Sequence, residues 1–212
     1  MKQFVIAVDG PAGAGKSSIA KIIARKLGIE YVDSGAIYRA ITKNILDSNI
    51  KIDDYKQIIE QLDNIKIDLI NGSVYINGED LTAFIRGNEV SLAVSPVSSI
   101  IPVRKKVNAF LNEYSKEKSI IMDGRDIGTV VFPDATYKFY LDASVDVRAL
   151  RRFKEKTLNM TLESIKDSII KRDENDKNKE FGALKVARDA IYIDTTDLTI
   201  DQVVDNIFGR IK

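Results

Sequence analysis

Apolar residues along this chain recur at two periods, and the alternation between them predicts most of its elements. Phe4-Val5-Ile6-Ala7-Val8 is a short β-branched run that stops at Asp9-Gly10 and reads as a buried strand. Over 17–27 the apolar positions Ile19, Ile22, Ile23 and Leu27 follow a helical spacing that ends at Gly28. A second strand over 29–32 and a second helix over 37–46 repeat the theme. Further on, 119–122, 137–141 and 190–193 read as core strands, and 102–116, 145–153, 162–171 and 200–211 read as helices. Five short apolar strands alternating with helices predict an α/β fold, a five-stranded parallel sheet covered by helices on both faces.

One stretch breaks the pattern. Ile65, Ile67 and Leu69 alternate with polar residues, Asn71-Gly72 marks a turn, Val74 and Ile76 resume the alternation, and Asn77-Gly78 marks a second turn. This β-hairpin and the polar helical stretch after it form an insert over about 63–100, within a single domain over 1–212. No internal repeat or low-complexity linker interrupts the chain.

Composition narrows the chemistry. The 212 residues carry 32 Lys and Arg against 31 Asp and Glu, a formal charge of +1. That balance argues against non-specific nucleic-acid or membrane binding and requires any anion to be held by a local cluster of cations. Cys and His are both absent, which removes disulfides, thiolate and imidazole metal sites, and the commonest general base. The remaining donors suit phosphates and a hard cation such as Mg²⁺. The opening apolar run is too short for a signal peptide, and no run approaches a membrane span. A soluble cytoplasmic protein is expected.

The strongest motif is Gly10-Pro11-Ala12-Gly13-Ala14-Gly15-Lys16-Ser17, which matches G-x-x-x-x-G-K-[ST] between a predicted strand and a predicted helix. Glycines let consecutive backbone N–H groups face one anion, and the helix start adds its partial charge. Lys16 is placed to reach the β- and γ-phosphates of a nucleotide, and Ser17 to offer a hydroxyl to Mg²⁺. A GTPase reading is weak, because the nearest guanine-reading string, Asn178-Lys179-Glu180-Phe181, lacks the acid.

Two further clusters follow predicted strands, where ligands gather in open parallel sheets. In Asp33-Ser34-Gly35-Ala36-Ile37-Tyr38-Arg39, Ser34 is expected to cap the next helix, with Arg39 about one turn in. In Asp123-Gly124-Arg125-Asp126-Ile127-Gly128-Thr129, Arg125 is suited to a phosphate, Asp126 to an exocyclic amine or a ribose hydroxyl, and Asp123 to Mg²⁺ through water. Arg148, Arg151 and Arg152 then precede a charged run containing Arg172, Asp173, Asp176, Lys177 and Lys179. Such runs are usually solvated faces; beside a phosphate loop, one over 148–188 is expected to act as a lid that brings cations and excludes water.

The strings at 9–18, 33–39 and 123–135 together resemble bacterial cytidylate kinase, and the resemblance runs from Ile6 to the final helix. It implies transfer of the γ-phosphoryl group of ATP to CMP or dCMP, with Mg²⁺, by a monomer. It also implies nucleotide contacts from Gly10 through Ser18 (Ser18 included) and from Arg148, and catalytic roles for Lys16, Arg125 and Arg152. Ser34, Arg104 and Asp126 would meet the cytosine, Arg39 and Arg125 the acceptor phosphate, and Ser95, Arg172 and Asp176 the sugar side, with Lys179 in the same substrate set. Where the family usually has arginine and proline, this chain has Lys179 and Ala183; lysine keeps the charge but not the bidentate fork. Rival readings are a P-loop kinase for another small acceptor, such as UMP or a metabolite hydroxyl, and a non-enzymatic ATP-binding switch.

Overall fold

A computed structural model describes residues 3–154 and 161–211. Among these, five strands form one sheet in the order β2-β6-β1-β7-β8: β1 (Val5–Asp9), β2 (Glu30–Asp33), β6 (Ile120–Gly124), β7 (Tyr137–Asp142) and β8 (Ile191–Asp194). β1 runs parallel to both β6 and β7, and β7 parallel to β8. Being central, β1 releases the chain at its carboxyl end in the middle of the sheet. The phosphate loop begins there, and helix α1 (Lys16–Leu27) follows it.

The registers Ile6 to Ile121 and Val8 to Phe139 put these apolar side chains on one face. With Leu141 and Ile193 they meet Ile19, Ala20 and Ile23 of α1 and Val203, Val204 and Ile207 of α8 (Ile200–Phe208) in one core. α8 carries a complete capping box between Thr199 and Gln202. The opposite face carries Asp9 and Lys138, and against them lies a short π-helical turn, Ile127–Val131, which periodicity does not predict. α6 (Val145–Lys154) and α7 (Leu162–Lys177) pack together through Ala149, Ile165 and Ile169. The apolar period predicts a helix ending at 171; α7 continues to Lys177 because Asp173 and Asp176 on its next turns are buried against cationic partners.

The chain divides into two compact units, residues 1–31 with 118–212, and residues 32–117. The second contains α2 (Ser34–Asp47), α3 (Tyr55–Leu62), the antiparallel strands β3 (Ile67–Ile70), β4 (Ser73–Ile76) and β5 (Glu79–Asp80), α4 (Asn88–Val97) and α5 (Ile101–Tyr114). Both turns named from sequence are present, with Asn71, Gly72, Asn77 and Gly78 all at positive φ. The second turn adds β5, so the hairpin is a three-stranded sheet. α3, capped by Asp54, is also an addition; Ile58 and Leu62 are its buried positions, too few for a clear period.

Phe139 lies at the centre of the sheet core with 1% exposure. Phe139→Ala is expected to cost about 3–5 kcal/mol of folding stability, read as a lowered urea midpoint with an unchanged slope.

Candidate active site

The phosphate loop is held from below and from the side. Gly10, Gly13 and Gly15 all have positive φ, and Gly15 caps α1 in the left-handed conformation. Gly10 also lacks room for a side chain, since a Cβ there would lie 1.9 Å from the Leu141 carbonyl oxygen. Pro11, Ala12 and Ala14 are buried, Gly13 and Ser18 are exposed, and the Lys16 ammonium donates to the Pro11 carbonyl at 2.7 Å. Burial, with Arg125 next in weight, pushes the Lys16 ammonium down to about 7.

Asp9, the last residue of β1, accepts from Ile127 N at 2.8 Å and from Gly128 N at 2.7 Å. Burial pushes its carboxyl up to about 6 against the opposing pull of these two N–H groups. The end of β6 with Asp123, and Arg125 and Asp126 just after it, is thereby tied to the root of the phosphate loop. Asp123 accepts from Ser17 Oγ at 2.8 Å and from the Tyr31 hydroxyl at 2.6 Å. Asp126 is buried and opens the π-helical turn, its carbonyl accepting from Val130 and Val131 N.

Asp176 gathers the cations of this unit. It accepts from Arg125 Nε at 2.8 Å, pairs with Lys179 Nζ at 3.0 Å and has Arg172 Nε 4.0 Å away. Burial raises its carboxyl, but Arg125 and Lys179 outweigh burial together and bring it down to about 2. Arg148, expected to touch nucleotide, is buried with its guanidinium directed at protein groups. It donates to Ala143 O and to Ala12 O of the loop at 2.9 and 3.0 Å and pairs with Asp173 at 2.7 Å. Its neighbour Arg151 donates to Thr195, and Arg152 is half-buried on α6. The segment 155–160 of the expected lid lies outside the described residues.

In the 32–117 unit, Asp33 rather than Ser34 caps α2: its Oδ1 accepts from Ala36 N, because it is the residue with extended backbone just before the helix. Ser34 is the buried first helical residue, and Arg86 holds the other Asp33 oxygen at 3.0 Å. Arg39 donates to Ser91 Oγ. Arg104 is not a solvated surface arginine. It is 3% exposed, donates to Ser98 O at 3.1 Å and lies 5.5 Å from the Tyr38 ring centroid. Ser95 is half-buried on α4, and its carbonyl accepts from Ser98 and Ser99 hydroxyls.

No individual role for Asp9, Tyr31 or Asp173 follows from the sequence, although Asp9 opens the 9–18 string and Asp173 lies in the charged run of the expected lid. The one local signal for Asp9 is a carboxylate ending an apolar strand, which reads equally well as a turn residue. Tyr31 and Asp173 announce nothing until their distant partners are known.

A phosphate loop at the carboxyl end of the central strand of a five-stranded parallel sheet defines a P-loop nucleotide-binding fold. A shikimate kinase from Bacteroides thetaiotaomicron shares that fold, with a TM-score of 0.53 at 13% identity over 98% of this chain and 97% of that one. At the level of sequence, the family described as Cytidylate kinase matches residues 6–212, and the chain belongs to that family. A cytidylate kinase of Clostridioides difficile is 47% identical over 215 residues, covering 100% of each chain. One of Caldicellulosiruptor saccharolyticus is 48% identical over 214 residues, covering 98% of this chain and 95% of the relative. The chain is therefore a phosphotransferase. Among the described residues no helix is long and apolar enough to cross a membrane.

The Asp176 network makes a pH prediction. A carboxyl lowered from 3.8 to about 2 in the folded chain adds stability at pH values above its unfolded value, and that contribution fades as pH falls through about 2. The stability gap between the parent and Asp176→Asn should be constant from pH 8 to about 5 and shrink below about pH 4, measured by urea unfolding at each pH.

Proposed function

We propose that this chain transfers the γ-phosphoryl group of ATP to CMP or dCMP, giving ADP and CDP or dCDP. The observation that carries the reading is the phosphate loop with Asp123, Arg125 and Asp126 beside it, in a chain whose cytidylate kinase match spans residues 6–212. Within Gly10 to Ser18 the backbone N–H groups of every residue but Pro11 are available to cradle the ATP phosphates, and Lys16 bridges toward the group being transferred. Arg148 contributes by fixing the Ala12 carbonyl of that loop, and Arg152 brings charge from α6 to the migrating phosphoryl.

For Mg²⁺ the donor set fits: a serine hydroxyl and a carboxylate, both hard oxygens, lie within 2.8 Å of each other. Ser17 would hold the ion directly and Asp123 through water, and the bound ion would neutralise charge on the phosphates. By the family resemblance, Arg39 and Arg125 would serve the acceptor phosphate, Ser34, Arg104 and Asp126 the cytosine, and Ser95, Arg172, Asp176 and Lys179 the sugar side. Asp176 also keeps Arg125 aimed, through the 2.8 Å bond to its Nε.

The ionised acceptor phosphate is itself the nucleophile, so no general base is needed and the absence of His is no handicap. Its oxygen attacks the γ-phosphorus in line, the bond to the β-bridging oxygen breaks, and the pair of electrons leaves with ADP. We place this chemistry in a cytoplasmic monomer acting on small nucleotides, with the insert at 63–100 serving the monophosphate and the segment at 148–188 closing over the nucleotide.

The test is ADP release from ATP and Mg²⁺ with CMP, dCMP, UMP, AMP and GMP offered separately. Turnover confined to CMP and dCMP is expected; turnover mainly with another monophosphate overturns the cytosine assignment, and ATP binding without any turnover overturns the enzyme reading. In the same assay Asp126→Ala is expected to lower kcat/KM for CMP about a hundredfold, because a buried hydrogen-bonding group facing the base loses its partner.

A further inference from the structure

Asp123 is bracketed by two hydroxyls, one on each carboxylate oxygen, from residues 106 and 92 positions earlier in the chain. Ser17, at the start of α1, donates to Oδ2 at 2.8 Å; Tyr31, on β2, donates to Oδ1 at 2.6 Å. We propose that Tyr31 is a positioning residue for phosphoryl transfer, acting through Asp123 to aim both that carboxylate and the Ser17 hydroxyl at the metal–nucleotide. The inference rests on the reading of Ser17 and Asp123 as the Mg²⁺ pair.

Three features carry it. The terminal torsion of an aspartate is broad and roughly two-fold, so a bond on one oxygen alone defines the carboxylate plane poorly. A second bond on the other oxygen defines it. Next, a serine hydroxyl has one donor and two lone pairs. With its proton on Asp123 Oδ2, only lone pairs remain to face a cation, which is the state an oxygen ligand requires. A carboxylate has room for about four hydrogen bonds, so two hydroxyls do not by themselves exhaust Asp123 as an acceptor for a metal-bound water.

The third feature is that the tyrosine is partly buried and packed in place. Its ring packs on the core formed by α1, α8 and the sheet, and the Lys21 ammonium sits 5.4 Å from the ring centroid. A hydroxyl on a fixed ring loses little freedom when it makes a bond. Packing alone would be served as well by phenylalanine; what tyrosine adds is the oxygen 2.6 Å from Asp123.

The experiment compares the full-length parent, Tyr31→Phe and Asp123→Asn. Mn²⁺, followed by its electron paramagnetic resonance, reports binding of the metal–ATP complex, and calorimetry in excess EDTA reports binding of metal-free ATP. Tyr31→Phe is expected to weaken Mn²⁺–ATP binding about tenfold while leaving metal-free ATP and the KM for CMP unchanged, with kcat reduced. Equal weakening with and without metal, or no weakening in either, overturns the proposal. If Asp123→Asn weakens the metal complex and Tyr31→Phe does not, only the role of Tyr31 falls. If Asp123→Asn has no effect on Mn²⁺–ATP binding, the metal reading falls and takes the Tyr31 inference with it.

Discussion

A carboxylate buried at the end of the central strand sets the conditions for the rest of this site. Asp9 is 4% exposed, and an unpaired charge there would be costly. Its two oxygens are satisfied by the N–H groups of Ile127 and Gly128, so the π-helical turn must form where it does. That turn begins directly after Asp123, Arg125 and Asp126, and its position fixes theirs relative to the phosphate loop. A side chain at Gly128 would crowd the same group: a Cβ would lie 3.3 Å from Asp9 Oδ2 and 3.2 Å from the Lys138 side chain, and both would have to give by a few tenths of an ångström. On the other side of the strand's end, Gly10 meets the Leu141 carbonyl with no space for a methyl group. The loop is thus clamped between neighbouring strand ends before any ligand contributes.

Charge is arranged just as locally. A chain with a formal charge of +1 offers no broad attractive field, yet Lys16, Arg125 and Arg172 stand close enough for each arginine to help lower the lysine. Buried acids on α7 offset this crowding. Asp176 takes Arg125 and Lys179, and Asp173 takes Arg148, which in turn holds Ala12 of the loop. A run of charges that a periodicity count treats as solvent-facing is instead a frame that holds cations in fixed directions. Donors oriented in advance need little rearrangement during reaction, which is how phosphoryl transfer is accelerated without an imidazole or a thiolate.

Lys179, where the resemblance implies arginine, fits this frame at 12% side-chain exposure, its ammonium 3.0 Å from Asp176 Oδ1. A point charge suffices to neutralise one carboxylate oxygen, whereas the planar fork of arginine would serve two acceptors at once. The substitution keeps the pairing with Asp176 and gives up a second, directed contact.

Much of the molecule follows from the sequence alone, wherever the controlling interaction is local. Apolar runs of four or five residues gave the sheet strands, a 3.6-residue period gave α1, α2 and α8, and Asn-Gly pairs gave both turns of the insert. The phosphate loop is legible because its whole function is packed into eight consecutive residues. What only the tertiary structure decided is long-range: Asp9 meets Gly128 across 119 residues, Ser17 meets Asp123 across 106, Tyr31 meets Asp123 across 92 and Arg125 meets Asp176 across 51. No spacing rule links such pairs, because their separation is set by strand order, and side-chain direction follows from what each strand end faces. Arg148 lies against the Ala12 carbonyl for that reason, 136 residues away in the chain, whereas the cap at Asp33 instead of Ser34 is a local choice made by the backbone just before α2. Residue chemistry determined which groups are available for phosphate work; parallel packing of the strand ends decided which of them meet.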